Sequence, residues 1–312
     1  MTTDPERLDA ASQSEAMEPP EPTTQAGSRP IAVDEVFAHV PRAVPHLGHA
    51  LIFGGIVIVA TLGVMFAVGI GSALHIFGGI PFEKLQKNPL VVMPTMAVAY
   101  SLVWAVSWFL FPLMWYRPFL DGVSWNLGVA RRRWPWLLAT GLGVGLVIQF
   151  LSNFLPIPKT LPIDDFFKTR SSVWMVSVFG VLIAPALEEL AFRGFLLPSL
   201  ATAWDWLGHR IWRHPERRID PISGQPLWSL PAMIFAAIGT SIPFALLHSE
   251  QLANAFAPLA VLFAVSIVLC IVRFRTSSLA ASVAVHATYN LSIFTTLYLA
   301  TDGFRHLDKL HG

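Results

Sequence analysis

The chain has 312 residues, 54% of them hydrophobic and only 13% charged, with a net charge of +1. Soluble domains carry about a quarter charged residues, so half that share excludes an ordinary water-soluble globule and points to a polytopic membrane protein. Near-neutrality offers no basic face for nucleic acid, and a single cysteine, Cys270, excludes an internal disulfide or a cysteine-based zinc site.

Residues Met1 to about Pro45 are rich in Pro, Ser, Thr and acidic side chains and poor in large apolar ones. Such a composition buries too little surface to fold and reads as a disordered tail rather than a signal peptide. Seven hydrophobic runs of near-spanning length follow: approximately Leu47–Ile76, Leu90–Trp115, Trp134–Leu155, Val173–Trp204, Leu227–Leu247, Ala253–Val272 and Leu279–Ala300. The expected fold is an all-α transmembrane bundle of seven or eight spans. Residues 46–172 hold the N-terminal helices, 173–304 a core carrying the polar residues, and 305–312 a short C-terminal tail. No segment repeats. With the N-terminus inside, 13 Lys and Arg fall in inner segments, including Arg131, Arg132, Arg133, Arg210, Arg213, Arg217 and Arg218. Outer segments hold 7, which favours a cytoplasmic N-terminus in a plasma (inner) membrane.

The fourth run contains Glu188, Glu189 and Arg193. Each isolated charge at mid-membrane costs about 2.5 to 3.5 kcal/mol on insertion scales, so the span must pair them, hydrate them or use them. Helical geometry makes Glu189 and Arg193 i,i+4 neighbours, which suits a structural pair. Glu188, turned about 100° away, is left to face a cavity. Pro185 removes a backbone hydrogen bond to Val181 and favours a kink nearby. A charged cluster that merely ties helices together is the competing reading.

His248 closes the fifth run, and His286 with Asn290 lies within the seventh at i,i+4 spacing, on one helix face. Taken singly, His248 reads as interfacial and the other two as interhelical glue. Together with Glu188 they form a hydrolytic inventory on three spans. Depth poses a difficulty. His286 lies about 10 Å into its run and His248 about 30 Å along its own, so alternating spans keep them apart. They meet only if the fifth run starts within the membrane or is broken at Pro231, Gly239 or Pro243. His209 and His214, in the basic loop before it, read as solvated.

Glu188-Glu189-x-x-Phe192-Arg193-Gly194, then Phe244-x-x-x-His248, then His286-x-x-x-Asn290 resembles the CPBP family. These are the CAAX prenyl proteases of the Rce1-like kind and the bacteriocin-processing Abi proteins. The likeness covers roughly Val173 to Leu297. It implies intramembrane endopeptidase chemistry on a membrane-presented protein or peptide, with a prenylated CAAX-type protein as the candidate substrate. By the same resemblance, Glu188 and His248 activate water, and His286 and Asn290 stabilise the oxyanion. Glu188, His248 and His286 also make a conceivable two-His, one-carboxylate zinc set, although the expectation is catalysis without an obligatory metal. A proton-coupled transporter, in which the same groups relay protons, is the alternative from another class, with a non-catalytic scaffold or immunity protein beside it. No inverted repeat supports the transporter.

Overall fold

The computed structural model describes residues 45–156, 158, 160–212, 218–219 and 226–310. The expected tail therefore lies outside the described residues except for Pro45, as does His214. All seven hydrophobic runs are helical: α1 Leu47–Ala73, α2 Pro89–Trp115, α3 Trp134–Ser152, α4 Arg170–Ile211, α5 Leu230–Leu246, α6 Phe256–Thr276 and α7 Leu279–Ala300. Five begin at polar caps, α1 among them through His46, which accepts from Gly48 N–H. Asn88, Thr169, Ser229 and Ser278 accept from Leu90, Ser172, Ala232 and Ala281 N–H, satisfying donors that a helix start leaves open. The protein is an all-α membrane bundle. Among the described residues the only sheet is a two-residue antiparallel pairing, Arg218 opposite Leu227 and Ile219 opposite Pro226.

Helices α1, α2, α3, α4 and α6 are long and apolar enough to cross a bilayer. The other two runs differ from full spans for separate reasons. α5 has only 17 residues, about 25 Å of helix. α7 is long enough at 22 residues but carries His286, Thr288, Asn290 and Ser292 in its middle. The outer faces are what lipid requires, since Leu51, Val59 and Phe66 on α1 are each more than 70% exposed. A patch of that kind on a water-soluble monomer would drive aggregation.

The connections confirm alternation across the layer. On one side, the α2–α3 connection docks on the α6–α7 turn: Leu279 N–H donates to Ser124 O at 2.9 Å and Ser278 Oγ to Asn126 O at 2.8 Å. On the other side, Ile163 N–H donates to Gln251 O at 3.2 Å, joining the α3–α4 and α5–α6 connections.

α4 is the centre of the bundle. It contributes Leu187, Leu190 and Phe195 to an aromatic cluster with Phe53 of α1 and Phe111 and Trp115 of α2. It also contributes Leu197 and Ala201 to a small-residue contact with Ala232, Ala236 and Cys270 of α5 and α6. Its 42 residues run about 63 Å, twice what a bilayer needs. Two π-helical stretches, Phe179–Ile183 and Leu190–Leu196, interrupt it and flank Glu188 and Glu189. Wider turns of this kind are rare and concentrate at functional sites.

α3 reaches α7 through Gly141 and Gly145. A Cβ on Gly141 would sit 2.8 Å from Val285 O and 2.7 Å from Thr288 Cβ, whereas one on Gly143 meets nothing within 4 Å. Small residues four apart let helix backbones approach closely in lipid. Gly141→Ala is expected to destabilise the protein by about 1–3 kcal/mol through overpacking. Gly143→Ala, on the open face of the same helix, is the control, and thermal unfolding in detergent should show no loss there.

Candidate active site

The two π-helical stretches leave Ala184–Glu189 as a short α-helical piece carrying both carboxylates. Adjacent residues point about 100° apart, yet here both carboxylates reach one imidazole. His286 Nδ1 lies 2.9 Å from Glu189 Oε1, and His286 Nε2 lies 3.7 Å from Glu188 Oε2. The ring stands between the two arms and presents one nitrogen to each. Divergent side chains therefore converge by straddling a third group.

Glu189 is fully buried and its Oε1 accepts twice, from His286 Nδ1 and from Arg193 Nη1 at 2.8 Å. Arg193 is fully buried as well, and its Nη2 donates to Ser266 Oγ at 2.7 Å and Ser266 O at 3.0 Å. The Phe244 ring lies 4.7 Å from the guanidinium carbon, which places a π face on the cation. Ser266 of α6, Arg193 and Glu189 of α4, and His286 of α7 thus form one continuous polar chain through an apolar interior. Glu188 is the exception, since its side chain keeps 14% of its exposure.

This network assigns the histidine tautomer. A carboxylate only accepts, so Nδ1 carries a proton, and in the neutral imidazole Nε2 then turns a lone pair toward Glu188. At 3.7 Å no direct hydrogen bond joins them. Two acceptors face each other across a gap suited to one bridging donor.

The remaining expected residues are placed differently. His248 lies in the turn after α5, half-buried, with Nδ1 donating to Phe244 O at 2.9 Å. The Phe244 ring packs against both imidazoles, 5.3 Å from His248 and 6.0 Å from His286. The structure thus sets Glu188 against His286, and His248 one ring away. The depth difficulty resolves through α5. Phe244 lies about 21 Å along α5 and His286 about 10 Å along α7, so the two helices are out of step by about 10 Å. Pro231 and Pro243 do not break α5. Asn290, on the His286 face of α7, donates from Nδ2 to Gly180 O of α4 at 2.7 Å. Among the described residues no three His, Cys, Asp or Glu side chains are arranged to hold a metal ion. Of the conceivable zinc set, Glu188 and His286 lie together and His248 does not join them.

Two tyrosines were missed by sequence reasoning. Tyr100 of α2 and Tyr289 of α7 both lie close enough to Glu188 to interact electrostatically with it. Tyr100 also packs on Phe179, the first residue of the first π-helical stretch, at 5.6 Å. Its signal was faint: one of only four tyrosines in the chain, in mid-span of an apolar helix.

No curated protein and no solved structure matches the chain significantly. A family model does match, over residues 170–292, and its description is type II CAAX prenyl endopeptidase Rce1-like. The match runs from the first residue of α4 into α7 and takes in every residue of the polar chain from Ser266 to Glu188. With its apolar helices around that segment, this integral membrane protein is similar, over residues 170–292, to the Rce1-like type II CAAX prenyl endopeptidases.

Proposed function

We propose that the protein is an intramembrane endopeptidase that hydrolyses a peptide bond in a membrane-presented protein or peptide, with a prenylated CAAX-type chain end as the substrate class. The observation that carries this reading is the placement of His286 between two carboxylates, one sealed and one accessible. Glu189 and Arg193 hold the imidazole, and the lone pair on Nε2 and the carboxylate of Glu188 then face the same small volume. A water placed there donates one proton toward each and presents its oxygen lone pairs to a carbonyl carbon.

Attack forms the new C–O bond while Glu188 takes the proton of the water as general base. The carbonyl oxygen becomes an oxyanion. Asn290 has a second Nδ2–H to offer it, because only one is committed to Gly180 O. Glu188 then returns its proton to the departing amine nitrogen, the C–N bond breaks, and the carboxylate is regenerated. His248, with Nδ1–H donated to Phe244 O, has its Nε2 left as an acceptor one ring away from that water. The half-buried site limits competing water, and a substrate reaches it from the lipid or the interface.

Purified protein in detergent or liposomes, incubated with a fluorogenic prenylated peptide, tests the reading directly. Cleavage is expected to survive exhaustive chelation, because the donors are not gathered into a three-ligand set. Activity that vanished on chelation and returned with zinc alone would replace this mechanism with a metal-dependent one. Absence of cleavage of any prenylated or unprenylated peptide would remove the protease reading.

A further inference from the structure

One backbone carbonyl in the first π-helical stretch of α4 has lost its own donor, and a side chain from another helix supplies one. The N–H of Ala184 donates to Phe179 O, five residues back. The next donor in that register belongs to residue 185, and its acceptor is Gly180 O. Residue 185 is proline and has no N–H. Asn290 Nδ2 of α7 fills the place at 2.7 Å. Gly180 also admits the approach of α7, since a Cβ there would lie 3.0 Å from Cε2 of Phe294, one turn beyond Asn290.

We propose that Pro185 is a positioning residue for Asn290: by withholding an amide proton it keeps Gly180 O open, and this carbonyl fixes the plane of the Asn290 carboxamide. The physical consequence is preorganisation. A primary amide free to rotate about its last torsion has to be ordered as charge develops on the oxyanion. One already anchored through one N–H directs the other without that reorganisation. The same bond pins the π-helical stretch to α7 eight residues before Glu188, and so ties the accessible carboxylate to the helix that carries His286. The catalytic part of this inference rests on the protease reading, whereas the link between Pro185 and Asn290 does not.

Pro185→Ala restores a donor. If the π turn persists, the new N–H takes Gly180 O directly. If the turn relaxes to α-helical register, the N–H of Ala184 takes it instead. Either way Asn290 has to share Gly180 O with a backbone donor and its anchor weakens. The experiment is a double-mutant cycle of Pro185→Ala and Asn290→Ala in the full chain, read by peptide cleavage and by thermal unfolding. P185A is expected to lower kcat by about 10- to 100-fold with KM unchanged. The double variant is expected to be no slower than N290A alone. In unfolding, N290A should lower Tm in the proline background and leave it nearly unshifted in the alanine background, where the backbone satisfies Gly180. Additive effects in both assays, or a P185A protein indistinguishable from wild type in both, overturn the inference. If wild type cleaves nothing, the protease reading fails, and the unfolding cycle alone still decides the link. Pro185→Ser, a second donor-restoring variant, serves in the same cycle should P185A fail to fold.

Discussion

Glu188→Gln is expected to leave a folded protein with its Tm close to wild type and with cleavage reduced by about 10²- to 10⁴-fold, the usual worth of a positioned general base. Three observations set this expectation. Glu188 keeps partial exposure, His286 Nε2 lies 3.7 Å from it, beyond direct hydrogen-bond reach, and no Lys or Arg pairs with it among the described residues. Removing its charge therefore breaks no ion pair to a lysine or arginine. Glutamine is nearly isosteric and its amide can still face the imidazole, but it cannot take a proton from water. Single-turnover cleavage and thermal unfolding on the same preparation check both halves. Equal loss of stability and activity would mean that Glu188 is structural.

Glu189→Gln is expected to do the reverse first, costing about 3–5 kcal/mol of stability, because Arg193 is left as an uncompensated buried charge. The pair has little to spare, since Glu189 Oε2 and Arg193 Nε already lack partners. Removing both charges, as in Glu189→Leu with Arg193→Met, is expected to recover much of the stability, as well-packed apolar replacements of buried ion pairs often do. Cleavage is not expected to recover with it. Without the Glu189 carboxylate nothing fixes His286 in the tautomer that turns a lone pair toward Glu188. A stable double variant with normal kcat would show that Glu189 acts only through Arg193 and has no part in orienting the imidazole.

The two predictions divide the glutamate pair in a way that only partly follows from helical spacing. The i,i+4 relation places Glu189 beside Arg193, and the structure has that contact at 2.8 Å. Nothing in the spacing places Glu189 on His286, because that bond joins residues 97 apart in sequence. Spacing also argued that adjacent glutamates diverge by about 100°. It treated them as directions from the helix axis, whereas a five-membered ring with nitrogens on two edges accepts a partner on each.

Much was legible in the amino-acid order by itself. The membrane class, the seven helical runs and the segment that resembles the Rce1-like family are all legible in composition and short motifs. These properties are local: apolar length, i,i+4 spacing and the high cost of charge in lipid act within one helix. Tertiary structure decided which polar groups meet. Pro185 was legible as a break, but the order of residues does not say that the carbonyl it leaves open is Gly180 or that Asn290 fills it. Tyr100 and Ser266 carried no readable role until α2 and α6 packed against α4. The shift of α5 against α7, which brings Phe244 beside His286, depends on how helices settle on one another. That is a property of close packing across the bundle, where each side chain is placed by neighbours distant in sequence, and no periodicity within a single span contains it.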